Sequence, residues 1–167
     1  LFRSIEEGIN IADVELVLQT KDLLDFDKKH YAIRLTEPVQ YAEKKLTVNP
    51  YVLGYWLGDG NTNTTILTIG DEDKEETLER IKGYGYSIKE YKQKHSYKLE
   101  NVFDDFKQLS VIGNKHIPTV YLQGSVEQRL ELLRGLLDSD GSYNIRDNTI
   151  EYTSTDEVLA SNVKELV

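Results

Sequence analysis

Val52-Leu53-Gly54-Tyr55-Trp56-Leu57-Gly58-Asp59-Gly60 and Leu133-Arg134-Gly135-Leu136-Leu137-Asp138-Ser139-Asp140-Gly141 carry one pattern twice. Each stretch has Gly at its third place, a small residue at its seventh, and then Asp-Gly. Each reads as the end of an apolar helix. Residues four apart share a helix face, so Gly54 and Gly58 form one flat strip, and Gly135 and Ser139 form another. Two helices pressed together along those strips would bring Asp59 and Asp140 together at one end of the pair.

Outward from these stretches the punctuation is clear. Asn49-Pro50 supplies an N-cap and a first-turn proline, and the helix through Tyr51 to Leu57 is expected to stop at Gly60 with a left-handed cap. Ser125-x-x-Gln128 is a capping box opening a body of Leu130, Leu132, Leu133, Leu136 and Leu137. Between the two lie an expected strand (Thr64 to Ile69), an acidic-start helix (Asp71 to Ile81) ended by Gly83, and a hairpin of Tyr86 to Lys92 with Ser96 to Asn101. A short amphipathic helix, Val102 to Leu109, has Val102, Phe103, Phe106 and Leu109 on one face. After the second stretch come strands Ser142 to Ile145 and Thr149 to Thr153, turning at Asp147-Asn148. A helix capped by Thr155 or Asp156 follows, with Leu159, Val163 and Leu166.

A helix ending in Asp-Gly, then strands, then a helix therefore occurs twice, with the second copy cut short, and such a repeat organises the whole reading. Residues 1–48 read as a β-rich N-terminal segment. In it Ile9 to Leu18 and Tyr31 to Val48 alternate apolar and polar residues around a charged loop, Lys21 to Lys29. The fold class is α+β, divided as 1–48, 49–124 (first half) and 125–167 (incomplete second half).

The two aspartates are poorly placed for stability. A helix C-terminus carries partial negative charge, so a carboxylate there costs a few tenths to about 1 kcal/mol, and two side by side resist joint ionisation. A divalent cation removes both problems and can act on a phosphodiester. One apolar helix ending in Asp-Gly is ordinarily just a capped helix; the matched second copy is what makes a functional pair of them.

Composition sets the bounds. The chain has 167 residues, 39% hydrophobic and 29% charged, as in an ordinary globular protein. It has no Cys, which excludes disulfides, zinc-thiolate sites and a Cys nucleophile and suits an intracellular protein. Without any Met, a chain beginning at Leu1 reads as part of something longer. No apolar run suits a membrane span. The net charge of −9 demands that any cations used on nucleic acid be gathered on one surface.

Both stretches resemble the LAGLIDADG motif, the second more closely through Asp138-Ser139-Asp140-Gly141. Leu46 to Gly60 is similar to the run-up to the first motif of intein-borne homing endonucleases. Asn114-Lys115-His116-Ile117-Pro118 resembles the block before their second motif, and Thr153 to Val167 the start of the block after it. The resemblance implies a pseudo-twofold αββαββα pair, here with an incomplete second half, that cleaves double-stranded DNA with Mg²⁺ (or Mn²⁺). It implies Asp59 and Asp140 as metal ligands, helped by backbone oxygens of Gly58 and Ser139, and Lys115 as a catalytic cation. It further implies a host protein around an intein, and a pseudo-dimeric monomer when complete. Leu57 departs from the motif where the second copy keeps Asp138.

Positive charge concentrates in Lys89, Lys92, Lys94, His95 and Lys98, interleaved with tyrosines. On a hairpin these side chains could follow a DNA backbone, although a lysine-rich edge also discourages aggregation. Asn144 and Arg146 are the corresponding positions in the second half. Several other chemistries are excluded. A haloacid-dehalogenase-type phosphatase needs its first Asp after a buried strand, and here a capped helix precedes it. An EF-hand needs Gly at Tyr143 and Glu at Thr149. The histidines lack metal-ligand spacing, and no splicing motif is present. The remaining rival is a non-cleaving nucleic-acid-binding relative, such as a decayed endonuclease or an intron maturase.

Overall fold

A computed structural model describes residues 36–167, together with residues 2–3, 19, 21 and 32–33. The chain divides into two units, Leu1–Val39 and Gln40–Val167. In the first, β1 (Phe2–Arg3) pairs antiparallel with β2 (Ala32–Ile33). The expected strand Ile9 to Leu18 lies outside the described residues.

The expected strand Tyr31 to Val48 does not extend as read: residues 36–46 form no strand. The alternation over residues 44–48 serves a strap within the second unit instead. Gln128 accepts from Lys44 N at 3.0 Å and donates to Lys44 O at 2.7 Å. Tyr121 Oη accepts from Val48 N at 3.0 Å and donates to Val48 O at 2.8 Å. Backbone groups satisfied by remote side chains need no partner strand.

The second unit is built on α1 (Pro50–Asp59) and α5 (Val126–Asp140). Asn49 caps α1 by accepting from Val52 N, with Pro50 at the first helical position. At α5 both reciprocal bonds of the Ser125–Gln128 capping box are present. The residues Tyr51 through Leu57 are all buried, which fits a helix packed on more than one side. On α5 Leu132 and Leu136 are fully buried, while Leu130 is 46% exposed.

A three-stranded antiparallel sheet of order β3-β5-β4 packs beside α1, from β3 (Ile66–Thr68), β4 (Ile88–Glu90) and β5 (Ser96–Leu99). Its register pairs Ile66 with Lys98 and Lys98 with Lys89 on one face. Leu67 and Tyr97 are paired on the other, buried face. The helices α2 (Lys74–Gly83) and α3 (Phe103–Gln108) flank this sheet in sequence. On α3, Phe106 is buried, but Phe103 lies outward at 38% exposure with Lys107 over its ring. That corrects the expected four-residue apolar face.

A one-turn helix that the pattern did not announce, α4 (Thr119–Leu122), leads into α5 and carries the strap-holding Tyr121. The second copy continues as the hairpin β6 (Gly141–Asn144) and β7 (Thr149–Tyr152), then α6 (Glu157–Leu166). Asp156 caps α6 by accepting from Leu159 N at 3.0 Å, and Leu159, Val163 and Leu166 are buried. The order is thus mixed helix and strand with small sheets, an α+β fold repeating helix, strands and helix.

Candidate active site

At Gly54 and Gly135 the α1–α5 seam is backbone against backbone, and at Gly58 it is glycine against a small side chain. A Cβ on Gly54 would meet Leu132 O and come 3.1 Å from Leu136 N. One on Gly135 would meet Tyr51 O and come 2.7 Å from Tyr55 N. One on Gly58 would overlap Ser139, 2.8 Å from its Cβ. Ser139 turns its hydroxyl into its own helix, donating to Gly135 O and Leu136 O at 3.0 Å each, so the small residue stays flat against its neighbour.

This close approach brings the helix ends together. The hypothetical Gly58 Cβ lies only 3.2 Å from Asp140 Oδ2, so the second aspartate sits against the last turn of the first helix, beside Asp59. Burial pushes the Asp59 carboxyl up to about 6, and Asp140's charge pushes the same way while Lys115 opposes. Asp140 is also raised, by burial, with Lys115 again opposing. Gly60 and Gly141 end their helices in extended conformation, at φ −81° and −82°. This replaces the left-handed cap expected at Gly60. The glycine is needed there for room, since a Cβ would run into Trp56 at one end and Leu137 at the other.

Lys115 reaches this corner from the loop before α4. Its Nζ donates to Gly58 O at 2.7 Å and lies 5.5 Å from the Trp56 ring centroid, a cation–π distance. Trp56 is fixed in turn by donating from Nε1 to Thr64 O at 2.8 Å and by an edge contact with Phe106 at 4.7 Å. The loop is pinned through Gly113 N to Thr62 O and Ile117 N to Asn162 Oδ1 of α6. Burial lowers the lysine's pKa, opposed by Asp140 and Asp59. Beside these groups opens a cleft of about 430 Å³ lined by Gly58, Asn114, Lys115, Asp140, Ser154 and Asp156.

Among the described residues no three His, Asp or Glu side chains gather as a metal cage. Two oxygen-donor carboxylates are nonetheless a fitting set for a hard cation such as Mg²⁺, which keeps waters and takes substrate phosphate as further ligands. Of the two expected backbone helpers, Gly58 O already accepts from Lys115; Ser139 sits across the seam from Gly58.

Asp138 faces away from this corner. It accepts from Tyr51 Oη at 2.9 Å and from Arg80 Nη1 at 2.8 Å, tying α5 to α1 and α2. In the other copy the equivalent Leu57 is buried, so the two places do different work. No spacing in the sequence signalled Arg80 or Tyr51 as its partners.

The expected nucleic-acid contacts fall in two groups. Lys89 and Lys98 stand side by side on the exposed sheet face, with Lys89 paired to Glu100 at 2.8 Å. In the hairpin turn, Lys94 and His95 both approach Asp71, at 3.5 and 3.3 Å. Lys92 and Lys98 are exposed and have no ion pair among the described residues. In the second half Asn144 is used locally, donating to Asp147 and accepting from Arg146 N at 3.0 Å each. Arg146 is exposed in the β6–β7 turn.

Residues 127–167 match the LAGLIDADG-like domain. That segment takes in most of α5, the β6–β7 hairpin and α6, hence the second motif. Over 125 residues, 75% of the chain, the sequence is 36% identical to the replicative DNA helicase DnaB of Mycobacterium intracellulare. The chain spans about a fifth of the length of that relative, since the match covers 19% of it. No helix among the described residues is long and apolar enough to cross a membrane.

Proposed function

We propose that the chain is a site-specific double-strand DNA endonuclease of the homing type, borne by an intein within a DnaB-type helicase. One observation carries the reading. Asp59 and Asp140, from the two copies of one pattern, come together at the end of a glycine seam, where Lys115 is anchored at Gly58 O and lines one cleft with Asp140. The LAGLIDADG-like segment supports it. A match confined to 19% of a large helicase is what an inserted segment would give.

On this reading Asp59 and Asp140 would hold Mg²⁺ or Mn²⁺, with the backbone oxygens of Gly58 and Ser139 as helpers. When bound, the cation supplies positive charge to the phosphodiester and acidifies water. The chain's own groups do the rest. The seam fixes the spacing of the carboxylates, because neither helix can slide without a backbone clash. Burial holds Asp59 with little competing solvation, which strengthens its attraction for a cation. Lys115, anchored at Gly58 O, places its charge where a pentacovalent phosphate gathers negative charge. The exposed sheet face with Lys89 and Lys98, and the turn with Lys92, Lys94 and His95, track the duplex backbone. Asn144 and Arg146 sit at the tip of the other hairpin.

A non-cleaving nucleic-acid-binding relative is the second reading. It is favoured by the net charge of −9 and by the pairing of Lys89 and Lys94 with acidic side chains. Incubation with a supercoiled plasmid carrying an uninterrupted helicase gene separates the two. Linear product with Mg²⁺, lost in Asp59→Asn and Asp140→Asn, is the expected result. Binding without nicking would hand the assignment to the second reading.

A further inference from the structure

Two clefts open beside the motif helices, and the repeat relates them. The first is the cleft of about 430 Å³ beside Lys115, which Leu57, Asp156 and Leu159 also line. The second, of about 280 Å³, is lined by Asp73, Glu76 and Asp138, together with Tyr51, Thr77 and Gly141. Leu57 and Asp138 hold the sixth place of the two motif copies. Asp156 and Asp73 stand at the N-caps of α6 and α2, the helices that follow the strands in each copy. Leu159 and Glu76 each lie three residues beyond their cap. Each cleft also borders a motif aspartate along the chain, through Gly58 just before Asp59 and Gly141 just after Asp140.

The two differ in charge. The positions filled by Leu57 and Leu159 in the first cleft are Asp138 and Glu76 in the second. In the first, Asp156 spends its carboxylate on the cap by accepting from Leu159 N, and Lys115 supplies an ammonium. In the second, Asp73 makes no cap bond with its side chain. Arg80, the cation at that cleft among the described residues, is already engaged, donating to Asp138 and to Glu76 at 2.8 Å each. Three carboxylates around one committed guanidinium repel a phosphate.

We infer that the two strands of a duplex are hydrolysed at unequal rates, the phosphodiester in the Lys115 cleft being cut first while Asp73 and Glu76 restrain attack on the other. This rests on the reading of the chain as a DNA endonuclease. The step is the same in both clefts. A water oxygen bonds to phosphorus, one P–O ester bond breaks, the leaving sugar oxygen takes a proton, and the water's other proton goes to solvent. Only the charge facing the phosphate differs, so nicked duplex accumulates ahead of linear product.

The experiment is single-turnover cleavage, with Mg²⁺, of a linear duplex from the uninterrupted helicase gene carrying a different fluorophore on each strand. The full chain is compared as wild type, D73N/E76Q and K115M. Glu76 is 78% exposed, and thermal unfolding checks that the double variant is intact; if it melts lower, E76Q alone is read in its place. Wild type should cut one strand about 100-fold faster, the scale set by one well-placed donor. D73N/E76Q should speed the slow strand by about tenfold, as two exposed charges can, and leave the fast strand unchanged. K115M should slow the fast strand. Duplex binding in chelator, where nothing is cut, should tighten in D73N/E76Q. Equal rates on the two strands of wild type overturn the inference and leave the nuclease standing. So does a D73N/E76Q chain that changes neither strand, or both alike. If wild type cuts neither strand, the proposed function falls and the inference with it.

Discussion

Gly135→Ala sets two effects of opposite sign against each other at the seam. In an open helix the exchange gains up to about 1 kcal/mol, because alanine loses less backbone entropy than glycine. At Gly135 the added Cβ would stand 2.7 Å from Tyr55 N and 3.0 Å from Tyr51 C, with Tyr51 O in direct collision. These are backbone atoms of α1 and cannot rotate aside. Restoring ordinary contact near 3.5 Å, with Tyr51 O the tightest neighbour, means parting the helices by about 1 Å or more, enough to forfeit about half of each dispersion contact along the seam. Overpacking of this kind costs about 1–3 kcal/mol and sometimes more. With the backbone collision at the upper end of that range and the helix gain subtracted, the net expectation is a loss of about 2 kcal/mol, or roughly 4–8 °C in Tm for a chain of this size. Cleavage should suffer further, since a displacement on the order of 1 Å between reacting groups can cost about 100-fold. Gly83→Ala is the control. It ends α2 with nothing within 4 Å of its new Cβ, and should leave Tm unchanged or raise it. Thermal unfolding followed by circular dichroism compares the three proteins. A Gly135→Ala chain that melts at or above wild type would refute the close-packed seam.

Three further outcomes are expected. Asp59 has a raised pKa of about 6 against the ordinary 3.8, so the folded state binds its proton more tightly than the unfolded chain. Its contribution to metal-free stability is therefore most favourable below about pH 4, declines from there to about pH 6 and stays low above. Urea titrations in chelator should find that decline reduced in Asp59→Asn; equal pH slopes in both proteins would contradict the burial argument. Lys115→Met should slow single-turnover cleavage by about 100- to 1000-fold with DNA affinity retained, and undiminished cleavage would remove the lysine from the chemistry. Lys98→Ala should lower the slope of log Kd against log salt by about 1; an unchanged slope would place the duplex off the β3-β5-β4 face.

What could be read from the chain was whatever is encoded locally. Asn49-Pro50 and Ser125-x-x-Gln128 act within one helical turn, and both caps form. Gly54, Gly58, Gly135 and Ser139 were legible because a face repeats every four residues, and the structure packs them against each other. Long-range satisfaction was not legible. The alternation in Tyr31 to Val48 suggested a strand, but the partners of Lys44 and Val48 are Gln128 and Tyr121, 84 and 73 residues away. Gly60 suggested a left-handed cap, whereas the chain leaves the helix extended over Trp56, one turn back, whose ring is held by Thr64 and Phe106. Asp138 resembled its neighbour Asp140 in type, and only the position of Arg80 and Tyr51 separates their surroundings.

The seam also bears on how such a protein could change over time. The carboxylates are set by contacts between peptide units of α1 and α5, while the exposed lysines ride on strands of the neighbouring sheet. Substitutions on that sheet face can accumulate without touching the inter-helix spacing. On the reading proposed here, preference for one target over another would drift freely while the hydrolytic machinery stayed intact. A single extra methyl group between the helices would instead slow hydrolysis by about 100-fold at every target alike.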